Sequence, residues 1–248
     1  MMGSSAPLEA KALFARMTTP PSNARKAQIT RLIRTLKQAG IWTKLDVLYV
    51  YAAADSQAAL LNWKGATFDA TNHGAAFTAD RGFTGDGVDD YISTGFYIGS
   101  GQTSFADLMF GVSIRTVPTS SWKFAVGTMV TSNYATLQVL PYAISAVISR
   151  GVDTNLGVGL SGVGNIQVQK AGGTLTGYRN GLLIGTRTST LTAGIDKPFF
   201  ISAANGNGTP SGFFDGRIAA AYFGLSLSAA QAVALDGALQ TYFAAVGA

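Results

Sequence analysis

Several groups of residues in this chain have types and spacings suited to chemistry. Asp86, Asp89 and Asp90 form the densest acidic cluster and offer hard oxygen ligands to Ca2+. Their spacing is not that of an EF-hand, which needs a bidentate Glu at its twelfth position, and a hard cation takes about six or more oxygens. The competing reading is a Gly-Asp turn with solvated carboxylates. Asn205 and Asn207, in the Asn205-Gly206-Asn207-Gly208 stretch, present amides that both donate to and accept from a sugar hydroxyl, and Tyr134, Tyr142 and Trp122 are candidates for a stacking face under a pyranose ring. Asn-Gly runs are also ordinary turn chemistry, and aromatics in strands are mostly core. His73 is the sole histidine, so a Ser-His-Asp triad would have to be built around it, with Asp69 or Asp80 near in sequence. No Gly-x-Ser-x-Gly elbow precedes a helix, and a histidine between Asn72 and Gly74 reads as a turn residue.

Charge is distributed unevenly. The chain carries a net +5, yet residues 1–46 hold eight basic side chains against Glu9 and Asp46, and the remaining 202 residues sum to −1. Lys26, Arg31, Arg34 and Lys37 fall on one helical face, which reads as an assembly surface for an acidic neighbour or as a plain solvated face. Nucleic acid is the weaker alternative, because no aromatic set is interleaved and no DNA-binding motif is present. Charged residues make up only 12% of the 248-residue chain, against about 25% in an ordinary soluble domain. So neutral a surface is expected to be partly covered in an assembly, with a homo-oligomer the natural form. With no cysteine, disulfides and thiolate chemistry are excluded. The longest apolar run, Val47 to Ala54, is too short to cross a bilayer, and Met1 to Ala15 lacks the pattern of a secretory signal, so neither membrane insertion nor secretion by the ordinary route is expected.

The elements that must position these groups come in two textures. Residues 1–63 read as a helical attachment segment. Ile29, Leu32, Ile33 and Leu36 recur at helical spacing, with Ser22 or Asn23 to cap the start and Gly40 the end. Leu45, Leu48, Tyr49 and Ala52 predict a second helix, and Asp55 caps a short third one through Leu61. From residue 64 to 248 the texture is short alternating runs punctuated by Gly, Asn, Asp and Thr, which predicts many antiparallel strands. Asn180-Gly181 marks a type I′ hairpin. Ser228-Ala229-Ala230-Gln231 has the form of a capping box, opening a last helix whose apolar face includes Leu235, Leu239, Tyr242, Phe243 and Val246. The predicted fold is mainly β: an antiparallel two-sheet sandwich with an N-terminal helical segment and a C-terminal helix.

Gly82 to Ile92 (GFTGDGVDDYI) resembles the opening strand of the laminin-G-like, concanavalin A-like jelly rolls, where a Gly-Asp turn precedes a buried aromatic-aliphatic pair. Tyr178-Arg179-Asn180-Gly181 is similar to the late hairpin of that fold, and Phe213 to Phe223 followed by Leu227, Ser228 and Gln231 to its closing strand and trailing helix. In the front segment, Thr18-Thr19-Pro20-Pro21, Ala39 to Asp46, Ala54-Asp55-Ser56-Gln57 and Leu60-Leu61-Asn62-Trp63 resemble stretches of bacteriophage and prophage proteins joined to such a jelly roll. The resemblance implies a structural component of the virion, of a tail, fibre or capsid surface, assembled in the bacterial cytoplasm among other virion proteins and binding host surface polysaccharide. The alternative is a free carbohydrate-binding lectin-like module without a virion role. That fold also hosts glycosidases, but their retaining members need paired carboxylates, and the only glutamate here is Glu9, ahead of the sandwich. The expectation is therefore a protein that is not an enzyme and needs no cofactor, Ca2+ apart.

Overall fold

A computed structural model describes residues 6–119, 122–140, 143–150, 156–158 and 162–248. The front holds α1 (Leu8–Arg16), α2 (Asn23–Gln38), a 3-10 turn (Trp42–Lys44), β1 (Leu45–Val50) and α3 (Ser56–Leu60). Short strands follow: β2 (Thr71–His73), β3 (Ala76–Thr78), β4 (Gly82–Thr84) and β5 (Tyr91–Ser93). The long ones are β6 (Asp107–Ile114), β7 (Lys123–Val130), β8 (Asn133–Leu140) and β9 (Ala143–Arg150), then β10 (Gly157–Val158), β11 (Gly164–Ala171), β12 (Thr174–Arg179) and β13 (Leu182–Thr188). The chain closes with β14 (Phe200–Ile201), β15 (Ala204–Gly206), β16 (Thr209–Ser211), β17 (Arg217–Gly224) and α4 (Ala229–Val246).

The strands form two sheets packed face to face, the jelly-roll-like sandwich that the alternating texture predicts. The first runs β13-β12-β11-β6-β17-β4-β3, with β1 also paired to β17, and the second runs β10-β9-β8-β7-β14-β5-β2, with the β15–β16 hairpin attached to β7. Side chains of both inner faces, such as Phe110, Val112, Leu137, Ile148, Phe199 and Phe223, fill one core. A second core lies on the outer face of the first sheet, where α1, α2 and α4 cover Leu48, Val50, Met109, Ala220 and Tyr222. The molecule thus has three layers: helices, first sheet, second sheet.

Local chemistry accounts for three helix starts and one hairpin turn. Ser22 accepts from the Arg25 amide at the start of α2, and Asp55 accepts from the Ala58 amide at the start of α3. Ser228 and Gln231 make the reciprocal capping box that opens α4. Asn180 and Gly181 both have positive φ, 51° and 75°, and join Arg179 to Leu182 in a two-residue hairpin. Beneath α4 a buried polar row is fully paired: Tyr222 Oη and Ser113 Oγ both donate to Asn165 Oδ1, at 2.9 and 3.1 Å. Gly111, opposite Tyr222 in the ladder, makes room for this, because a Cβ there would lie 2.4 Å from the Tyr222 ring.

One front element differs from expectation. Residues 45–52 are not a helix: β1 pairs antiparallel with β17, from Leu45↔Gly224 to Val50↔Ala220. Val47, Tyr49 and Tyr51 point into the inter-sheet core, and Leu48, Val50 and Ala52 into the helical core. Both faces are buried, so both must be apolar, and a strand of this kind shows no alternation to read. The consequence reaches the domain level, since residues within the 1–63 segment belong to the same sheet as residues 64–248. No helix among the described residues is long and apolar enough to cross a membrane.

Candidate functional site

The acidic cluster lies in the loop between β4 and β5, at one end of the sandwich. Asp86 Oδ1 accepts three backbone amides, those of Val88 at 2.8 Å and of Asp89 and Asp90 at 3.2 Å each. These bonds hold the Asp86 carboxyl below its ordinary range. Partial burial, reinforced by the charge of Asp86, moves Asp90 the other way. One carboxylate oxygen from each of Asp86, Asp89 and Asp90 lies within 4.8 Å of the others. The spacing suits a cation, but the donor set falls short of the six or more oxygens that Ca2+ takes. Lys123 Nζ moreover donates to Gly87 O at 2.9 Å, so an ammonium already serves the loop. The geometry fits a capped Gly-Asp turn better than a calcium site.

Other polar and aromatic groups gather at the same end. Asp215 accepts from the Thr119 amide at 3.1 and 3.2 Å and flanks the loop at Gly87. Trp122, next to Lys123, has a left-handed φ of 65° and leaves its side chain 69% exposed, a large apolar surface on a protein this well packed. On the outer face of the second sheet His73 lies flat on Tyr91, with centroids 4.3 Å apart and planes 6° apart, and Tyr91 in turn meets Phe200 at 4.7 Å. Gly74 lets β2 approach Asp90, because any Cβ there would fall 1.9 Å from its Oδ1. The stacked pair is therefore a neighbour of the carboxylates.

His73 is a strand residue, not the turn residue that its neighbours suggest. Its Nε2 is 3.1 Å from Ser93 Oγ, and among the described residues no carboxylate orients the ring; Asp69 is held by Arg16 and Asp80 by Arg25. A serine and a histidine in contact without the third member lack the geometry of a triad. The aromatic-aliphatic pair Tyr91-Ile92 is also only half buried: Ile92 is in the core and Tyr91 faces out. A histidine and a tyrosine aligned on neighbouring short strands could have been found from the period-two pattern of residues 71–73 and 91–93.

The four residues expected to contact a glycan are not brought together. Asn205 is a scaffold residue, 1% exposed, with Nδ2 donating to Pro198 O at 2.9 Å and Oδ1 accepting from the Gly208 amide at 2.6 Å. One end of its amide ties β15 to the segment before β14 and the other closes the β15–β16 turn, and its burial keeps it from a ligand. Asn207 is exposed at the tip of that turn, with its backbone N–H donating to Met129 O at 2.8 Å, and Tyr134 is paired across from Met129. Trp122 stands at the opposite end of β7, roughly 23 Å away at the rise of a strand. Tyr142 lies outside the described residues.

On the helical layer, Lys26, Arg31 and Arg34 line a groove between α1 and α2, together with Lys11, and Lys37 instead pairs with Glu9 at 2.5 Å and ties the two helices together.

No protein-family profile and no curated protein matches the chain. Solved structures with the same arrangement of strands do. A Trypanosoma rangeli sialidase in complex with sialic acid superposes over 85% of this chain and 38% of its own, with a TM-score of 0.53 at 15% identity. The binding domain of botulinum neurotoxin serotype D superposes over 80% of this chain and 52% of its own, with a TM-score of 0.56 at 10% identity. The chain spans well under two thirds of either protein, and likeness at these identities is likeness of fold.

Proposed function

We propose that this chain is a non-catalytic β-sandwich that recognises glycans and is held in a bacteriophage particle by its helical layer. The observation that carries the recognition half is the flat His73–Tyr91 pair beside Asp90 in the Asp86, Asp89 and Asp90 cluster, with an exposed Trp122 next to the Lys123 that bonds the same loop. Aromatic faces take the apolar side of a pyranose and carboxylates accept its hydroxyls. Host surface polysaccharide is the ligand class this favours, and a catalytic role is disfavoured by the single glutamate. The particle half is supported by the front stretches that resemble phage proteins and by the concentration of basic charge on the helical layer. A homo-oligomer on a tail, fibre or capsid surface would present several weak sugar sites at once.

The test is a glycan array probed with the full chain, alone and clustered on a multivalent support. A signal that drops about tenfold in Trp122→Ala is the expected result, in keeping with one lost stacking contact. Silence from both forms overturns the recognition half. Glycan binding by a chain that is absent from purified particles would support the free lectin-like module, a reading that the likeness to a toxin binding domain also favours.

A further inference from the structure

Much of the positive charge of the helical layer faces one groove. Of the eight basic side chains in residues 1–46, four are used to hold the molecule together. Arg16 bonds Asn62 O, Gly65 O and Asp69; Arg25 bonds Tyr242 Oη and Asp80; Lys37 bonds Glu9; and Lys44 donates to Ser226 O at 2.8 Å. Lys11, Lys26 and Arg31 line the groove between α1 and α2, whose volume is about 830 Å³, and Arg34, which has contacts of its own, lines it with them. Among the described residues its lining contains no carboxylate, and Phe14 and Ala27 supply an apolar part. Fold stability does not require like charges gathered in one concavity, since at this range they repel.

We infer that this groove is a docking site for an acidic, amphipathic peptide segment of a neighbouring protein. The inference rests on the attachment reading above and names the chemistry of the partner. The stripe from Lys26 to Gln38 on α2 runs for about 18 Å, which is the length of about three turns of a partner helix. A helix with carboxylates on one side and aliphatic side chains on the other satisfies both the cationic rim and the apolar part, as in helix-in-groove recognition. A nucleic acid would satisfy only the rim, because the groove offers no projecting aromatic on which a base could stack: Phe14 is half-buried.

The experiment uses the full chain and three labelled probes read by fluorescence anisotropy: a helix-forming Glu/Leu peptide of about twelve residues, the same peptide with Lys in place of Glu, and an oligothymidylate of similar length. The Glu/Leu peptide binds the wild type, and its affinity falls at least about tenfold both in Lys26→Glu/Arg31→Glu and on raising salt from about 0.1 to about 0.5 M. Matching far-UV circular dichroism and melting curves establish that the variant is folded; Lys11→Glu, on the other wall of the groove, replaces it otherwise. Equal peptide binding by wild type and variant overturns the inference, as does tighter binding of oligothymidylate than of peptide. A variant that loses the peptide but enters particles at the wild-type level leaves the groove inference standing and removes the attachment reading.

Discussion

At the scale of single residues, burial decides which polar side chains are scaffold and which are free to act. Asn205 and Asn207 look alike in the sequence, yet one amide is buried and spent on two backbone bonds and the other is exposed at a turn tip. Asn205→Ala is therefore expected to destabilise the protein by about 1–3 kcal/mol, the cost of orphaning buried backbone partners, and Asn207→Ala by less than that, measured by urea denaturation. The sequence could not separate them, because the carbonyl and amide that engage Asn205 come from Pro198, before β14, and Gly208, in the β15–β16 turn, and only the fold brings them together. A second residue-scale case is Lys64, whose ammonium lies 4.3 Å from the centre of the Trp42 ring; burial lowers its pKa to about 8 against the pull of Asp46 and Glu9. The unfolded chain holds that proton up to the ordinary value of 10.5, so between about 8 and 10.5 unfolding takes up a proton and stability rises with pH. Below about 8 the charged amine burdens the fold in full. After reductive 13C-methylation, an NMR resonance that titrates near pH 8 and disappears in Lys64→Met is the expected signature.

At the scale of elements, legibility followed exposure. α2, α4 and the β12–β13 hairpin each have a solvated side or a turn with special backbone angles, so caps, periodicity and the Asn180-Gly181 pair located them. β1 has no solvated side: it separates two cores, and its run of Leu, Val and Tyr gave no phase by which to choose between strand and helix. The Asp86 cluster was legible as a turn because Asp followed by Gly is local chemistry, whereas the approach of Lys123, Asp215 and the His73-Gly74 strand end to it depends on distant strands. Packing between elements also makes a definite demand at Gly111, where Tyr222 crosses β6 to reach Asn165. Gly111→Ala is expected to cost about 1–3 kcal/mol through overpacking, read as a lowered denaturation midpoint with an unchanged slope. A loss under about 0.5 kcal/mol would mean that Tyr222 can move aside and that the buried polar row is not a constraint on this layer.

At the scale of the whole molecule, the helical layer and the sandwich cannot be treated as an attachment module joined to a head. The first sheet supplies one face to each core, and β1, from the front of the chain, shares the β17 edge with β4. Arg25 adds a polar link from α2 to Asp80 in the loop between β3 and β4 and to Tyr242 of α4, whose hydroxyl donates to Ala52 O at 3.2 Å. Three layers that share one sheet should unfold together, so a single calorimetric transition is expected, with the calorimetric and van't Hoff enthalpies in agreement. The fragment 64–248 would expose the outer face of the first sheet, including Met109, Ala220 and Tyr222, and leave part of the β17 edge unpaired. Such an edge and such an apolar face drive aggregation. The expected result is that this fragment is insoluble or lacks a cooperative melt, and recovers both when β1 is supplied in trans with the helices as residues 1–63. A fragment 64–248 that melts cooperatively by itself would show that the sandwich is complete without β1. The helical layer would then be an appendage after all, and its basic groove would sit on a part of the molecule free to move with whatever it binds.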